Sequence, residues 1–190
     1  FASFHVEKLM QAMSAGEGEA RKELREGVLN SFFWEEPVLF ACERLSRKGK
    51  VDEKVLSKAI LETLGIDPLL SAEMIWRSSD NVWEEVKANV IGFVEKWHRG
   101  NIVDGAVRFM MRTGKPEFSK YIWPLISNPD PNIHLGALLT DQEIRAGVLD
   151  GESREKIAAL PEQTRTNILS EIAINGDLDA VEFVTDMAVN

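Results

Sequence analysis

The sequence predicts an all-α protein of stacked antiparallel helical hairpins, an α-solenoid, with an irregular helical bundle as the alternative arrangement. Three observations predict it. The stretches Gly105-Ala106-Val107-Arg108-Phe109, Gly136-Ala137-Leu138-Leu139-Thr140 and Asp179-Ala180-Val181-Glu182-Phe183 echo one another, and their alanines lie 31 and 43 residues apart. Each follows a turn-forming stretch and, before it, an amphipathic segment with a Trp or Ile anchor. Such a hairpin cannot bury its apolar face alone, and repeats of about 34 to 47 residues signal stacked helical pairs. Next, Trp83, Val86, Val90, Phe93, Val94 and Trp97 recur at the spacing of one helical face. Finally, no run of β-branched residues alternates, and no two-residue Asn-Gly turn joins apolar runs, so a sheet is not expected.

The elements follow in order. Val6, Leu9, Met10 and Met13 share one face of a first helix over residues 4–13, which Gly16-Glu17-Gly18 breaks. A second helix is predicted over residues 20–34, with Leu24, Val28 and Phe32 on its apolar stripe. Pro37 opens a third as a first-turn proline. That helix runs to about residue 46, and residues 47–50 form a solvated turn. Asp52 caps a fourth helix carrying Val55, Ala59 and Leu64, and Asp67-Pro68 reads as cap plus first-turn proline for the fifth. Asn81 and Glu84 have capping-box spacing at the start of the Trp83 helix, which Gly100 ends. A helix with Ile102, Ala106, Phe109 and Met110 closes at Gly114. A pair then spans residues 116–126 and 131–139, joined by the stiff turn Asn128-Pro129-Asp130-Pro131-Asn132. Residues 140–160 are the least regular segment: Thr140 and Glu143 suggest a short capped helix, Gly147 and Gly151 interrupt it, and residues 153–160 are helical again. The last pair, residues 161–173 and 178–189, turns at Asn175-Gly176-Asp177.

At 190 residues the chain matches one domain, or about four repeat units, and we read residues 1–190 as a single helical-repeat domain. With 44% hydrophobic and 28% charged residues it belongs with globular rather than disordered chains. The net charge is −9; residues 1–100 hold 14 basic and 17 acidic groups, and residues 101–190 hold 8 and 14. A nucleic-acid binder needs a cationic track to replace counterions, so this balance argues against one and leaves room only for a local basic stripe. The single cysteine, Cys42, sits at helical spacing from Val38 and Leu45 and reads as a small buried hydrophobe. It can form no internal disulfide, which fits a reducing compartment. With no apolar run of about 18 residues and no signal-peptide pattern, the cytoplasm is the expected location and no membrane partner is expected. The chain opens on Phe1 instead of Met, and a piece of a longer protein is the expectation.

The second half resembles the HEAT-like helical-repeat region that follows the nucleotide-binding module of large bacterial NACHT-type (STAND) NTPases. The resemblance rests on Gly114-Lys115-Pro116-Glu117-Phe118 leading into Ile122-Trp123-Pro124-Leu125-Ile126, on Ile133-His134-Leu135, and on Ile157-Ala158-Ala159-Leu160-Pro161 followed by Ser170-Glu171-Ile172-Ala173. It covers roughly residues 80–190, and more loosely Trp34-Glu35-Glu36-Pro37-Val38-Leu39. Residues 140–150 depart from it, with Asp-Gln-Glu-Ile-Arg-Ala-Gly where an arginine-rich stretch is expected. The resemblance implies a sensor or autoinhibitory scaffold whose partner is another protein or another domain of the same polypeptide. No G-x-x-x-x-G-K-[ST] loop is present, so no ATP site is carried over and no cofactor is expected.

No motif carries reaction chemistry. His5, His98 and His134 are scattered singly, without metal-ligand spacing. Glu35-Glu36 and Glu84-Glu85 are neighbours that diverge by about 100° on a helix, so they read as solvated first-turn acids. Ser78-Ser79-Asp80 has no adjacent His and reads as a cap. Of the five tryptophans, Trp76 beside Arg77 is the one whose position suggests a contact surface. In the echoed helices the residue after the Ala-Val or Ala-Leu pair changes character, which places it outside the shared core. Arg77, Trp76, Arg108, Arg112 and Glu182 are therefore the candidate partner-binding residues of a non-catalytic interaction scaffold. Two other classes stay open: a HEAT-like nucleic-acid binder or DNA glycosylase using Glu73 near Trp76, and a regulatory subunit that dimerises through exposed aromatics.

Overall fold

Apolar residues at helical spacing do become helices. A computed structural model of the chain describes residues 1–99, 103–127 and 143–189, and the protein is all-α. Among the described residues the one departure from helices and turns is an isolated parallel bridge between Ile144 and Gly176. The chain divides into two units, Phe1–Glu95 and Lys96–Asn190. The turn expected at 128–132, the helix expected at 131–139 with His134 and Ala137, and the positions of Gly100, Ile102 and Thr140 lie outside the described residues.

In the first unit, α1 (Ala2–Ser14) buries Val6, Leu9 and Met10, as its periodicity predicts. The second helix departs from expectation. It is α-helical only as α2 (Gly18–Glu23), widens into a π-helical turn over Leu24–Leu29, and stops at Asn30. The wide turn adds a residue per turn, so Phe32 loses its register with Val28 and lands in a separate 3-10 turn, Phe32–Trp34. α3 (Glu35–Lys48) continues to a one-residue link, Gly49, at φ 111°, a conformation that side chains resist. α4 (Lys50–Leu64) follows at once, so the expected solvated turn shrinks to that glycine, and Asp52 lies inside the helix instead of capping it.

Asp67 does cap α5 (Pro68–Trp76), accepting from the Leu70 amide at 3.0 Å, and α5 is buried on every side from Leu70 to Ile75. α6 (Asp80–Arg99) starts one residue earlier than its expected cap, and Asn81 instead donates to Glu53 at 3.2 Å. Val82, Trp83, Val86, Val90 and Val94 face its core.

Carboxylates tie these helices together. Glu7 of α1, 6% exposed, accepts from Arg44 Nε of α3 at 2.8 Å and from Lys48 Nζ. Arg44 also reaches the Ser3 hydroxyl and carbonyl at 3.0 and 2.7 Å. Glu62 of α4 accepts two bonds from Arg21 of α2, at 3.0 and 2.9 Å, and one from Arg25. Glu53, also buried, accepts from Ser79 Oγ at 2.8 Å. Burial alone would raise the pKa of Glu7 and Glu62. The hydrogen bonds and positive charge of Lys48 and Arg44, and of Arg21 and Arg25, outweigh it and hold both below the ordinary 4.5.

In the second unit, α7 (Val103–Thr113) buries Ala106, Val107, Phe109, Met110 and Met111 and closes at Gly114 with φ 62°. The helix expected over 116–126 is one α-turn, α8 (Ser119–Ile122), between the 3-10 turns Pro116–Phe118 and Trp123–Ser127. Pro124 supplies no N–H, so an α-helical ladder cannot run through it. Phe118 meets Phe109 edge to face at 6.2 Å.

The irregular segment after residue 142 is stitched down by backbone bonds. The Arg145 amide reaches Met111 O at 3.2 Å, Trp123 Nε1 donates to Val148 O at 2.7 Å, and the Ala146 amide meets the Asp177 carboxylate at 3.1 Å. Gly147, in the 3-10 turn Ala146–Val148, lies so close to Gly114 that a Cβ there would sit 1.8 Å from the Gly114 carbonyl oxygen. Asp150 forms a capping box with Ser153 on α9 (Gly151–Ala158). α10 (Glu162–Asn175) and α11 (Leu178–Val189) pair across Gly176-Asp177, and Asp177 Oδ1 also accepts from the Ala180 amide at 2.9 Å.

Two outcomes follow from this packing. Gly147→Ala must push two backbone segments apart and should cost about 1–3 kcal/mol or more in urea unfolding of the full chain, whereas Gly151→Ala, with open space at its Cβ, should stay within about 0.5–1 kcal/mol. For Glu7 and Glu62 the folded pKa lies below the unfolded one, so the unfolded chain binds protons first as pH falls. Their contribution is complete above about pH 5 and drains away as pH drops through the lowered folded values. The urea midpoint should fall with acidification, and Glu7→Gln and Glu62→Gln should each flatten that dependence; a wild-type slope retained by both variants would disprove the assignment.

Candidate interaction surface

Nine phenylalanines occur in the chain, and five of them, Phe1, Phe4, Phe32, Phe33 and Phe40, are exposed and fall in the first forty residues. Phe32 and Phe33 are 76% and 77% exposed, and Phe4 and Phe40 remain more than half exposed. By contrast, Phe109 and Phe118 are fully buried.

Local geometry gathers the exposed rings. The Phe4 ring lies under the Arg44 guanidinium at 4.3 Å, and Phe40 is one turn before Arg44 on α3. His5, next to Phe4, has its ring 5.9 Å from that of Trp34, and its Nε2 is 3.1 Å from Glu23 Oε1. Phe32 and Phe33 contact each other at 4.0 Å in the turn that ends with Trp34. The start of α1 thus meets α3 through Phe4 and Arg44 and the 3-10 turn through His5 and Trp34, with exposed phenylalanines on all three elements. Glu36, one turn before Phe40 on α3, is exposed, as is Glu26, and Glu35 is half-buried. From residue 26 to residue 43 the chain has four glutamates and no lysine or arginine. Periodicity alone assigned Phe32 to a buried stripe. The signal that marks the surface is an adjacent Phe pair after the Asn30-Ser31 break, inside a stretch without basic residues.

The sequence candidates are not brought together by local structure. Trp76 and Arg77 belong to the first unit, and Arg108, Arg112 and Glu182 to the second. Trp76 is 40% exposed at the end of α5. Arg77 follows it with a half-buried guanidinium, held by Glu73 and Glu43 at 3.0 Å each. Arg108 pairs with Asp104 of its own helix at 3.2 Å, and Arg112 reaches Glu143 at 3.2 Å, where Arg145 also binds. Glu182 is exposed on α11, as are Leu178 and Val181.

Glu73, the carboxylate considered for acid chemistry, is 4% exposed and engaged by Arg77. Two open grooves flank the end of α1, of about 420 and 710 Å³, and they share Lys58. Some of their polar groups bind one another: Lys58 Nζ reaches Ser14 O at 2.8 Å, Arg21 binds Glu62, and Gln11 donates to Asp52 at 3.4 Å. Among the described residues no three His, Cys, Asp or Glu side chains group as metal ligands, and no described helix is long and apolar enough to cross a membrane.

No family model, curated protein or solved structure matches the chain.

Cys42 is fully buried, its Sγ 3.3 Å from the Met74 carbonyl, and burial with the nearby Glu43 charge pushes its pKa far up. It should therefore resist alkylation by iodoacetamide at pH 8 in the folded chain and react within minutes in urea. Stoichiometric labelling of the native protein would contradict that burial.

Proposed function

We propose that the chain is a non-catalytic protein-interaction module: helical pairs of the HEAT-like kind that offer a recognition surface, in the manner of a sensor region of a bacterial NACHT-type signalling NTPase. The reading is carried by one observation, the phenylalanines Phe4, Phe32, Phe33 and Phe40 that the first unit leaves more than half exposed. Burying a phenylalanine is worth about 1.5–3 kcal/mol, so a fold that leaves this many outside retains apolar surface for something else to cover. Aromatic residues at the centre of a contact are also the ones that dominate binding energy. The resemblance in the second half supports the same class.

On this reading the face contacted first is the α1–α3 surface, with Trp76, Arg77, Arg108, Arg112 and Glu182 as secondary candidates. The test is a peptide-display selection on the full chain, counter-screened against the Phe32→Ser/Phe33→Ser variant. Both positions are exposed, so the variant should unfold within about 0.5 kcal/mol of wild type. Enriched peptides should bind the variant at least about tenfold more weakly. Failure to enrich any peptide, or enrichment indifferent to the variant, would remove the reading.

A further inference from the structure

We infer that the partner of the aromatic surface is a cationic amphipathic helix of another protein segment; this rests on the reading of that surface as the recognition face. The surface combines two properties. Its centre is apolar, with Phe4, Phe32, Phe33 and Phe40 exposed. Its edge is acidic: Glu36, one turn before Phe40, is exposed, Glu35 beside Trp34 is half-buried and Glu26 on the preceding turn is exposed, and among the described residues no ion pair holds these three, while Glu7, Glu43, Glu62 and Glu73 are used internally. Arg44 and Arg25 near it are committed, whereas Lys8 on α1 and Lys22 on α2 remain exposed. Arg44 is spent on Glu7, Ser3 and the Phe4 ring, and Arg25 on Glu62. His5 faces Glu23.

Charge complementarity then selects among occupants. A second copy in a two-fold dimer would bring the same three carboxylates against themselves, which opposes like charges across the contact. An anionic lipid surface would meet the same repulsion, whereas membrane-binding faces of this kind carry lysine and arginine. A helix with leucine or aromatic residues on one stripe and lysine or arginine alongside satisfies both properties at once, its apolar side covering the phenylalanines and its cations reaching the glutamates.

The test uses the full chain and a synthetic peptide of about 18 residues, roughly 27 Å as a helix, made of leucine and lysine in amphipathic order, with a second peptide in which every lysine is glutamate. Calorimetric titration should show binding of the lysine peptide, weakened about tenfold or more by Phe32→Ser/Phe33→Ser. Glu26→Gln/Glu35→Gln/Glu36→Gln should weaken it about five- to tenfold, and raising salt from about 50 to 500 mM should do the same. The glutamate peptide should bind far more weakly. Equal binding of both peptides overturns the inference, as does binding to phosphatidylserine vesicles in place of the peptide. So does concentration-dependent dimerisation that the serine variant abolishes. If the lysine peptide fails while display selection still yields ligands lost in the serine variant, the charge inference falls and the interaction reading stands; if selection also yields none, both fall.

Discussion

The first unit depends on carboxylates that face inward and are met there by cations from the next helix. An unpaired buried carboxylate would be too costly to keep ionised, so Glu7 is tenable only because Arg44 and Lys48 arrive from α3 with the correct register. The same logic binds α4 to α2 through Glu62, and α5 to α3 through Glu73, Arg77 and Glu43. Leucine and valine supply most of the burial, but they tolerate sliding. The ion pairs do not, and they set which turn of one helix meets which turn of another. They also consume basic residues internally, so the excess acid appears at the surface.

In the second unit backbone groups share this task with the ion pairs of Glu143 to Arg112 and Arg145. Its irregular segment is fixed by backbone groups, with amides and carbonyls of residues 144–148 bonded to Met111, Trp123, Asn175 and Asp177. Bonds of that kind require close approach, and Gly147 against Gly114 is the closest. Asp177 serves two elements at once, capping α11 and holding Ala146.

The exposed aromatic surface arises from a local irregularity. The π-helical turn at Leu24–Leu29 ends the second helix early and turns Phe32 and Phe33 outward, where a regular helix would have carried Phe32 along the stripe of Leu24 and Val28. A wide turn of this kind costs hydrogen-bond quality, and such turns are frequent at functional positions. Here it opens the apolar surface on which the proposed recognition rests.

What the sequence by itself determined was the class of structure and most element boundaries. Its apolar spacing foretold the helices of α1, α3 to α7 and α9 to α11, and Asp67-Pro68 and Gly114 marked ends that the fold uses. Those features are local, set by neighbours three or four residues away or by one backbone angle. The tertiary structure alone decided which glutamates became internal clamps, that Arg77 would reach Glu43 and Arg112 would reach Glu143, that Asn81 would bind Glu53 instead of capping its helix, and that Phe4, Phe32, Phe33 and Phe40 would stay in water. Each of those outcomes depends on a partner up to about forty residues away, and side-chain periodicity carries no record of which partner arrives.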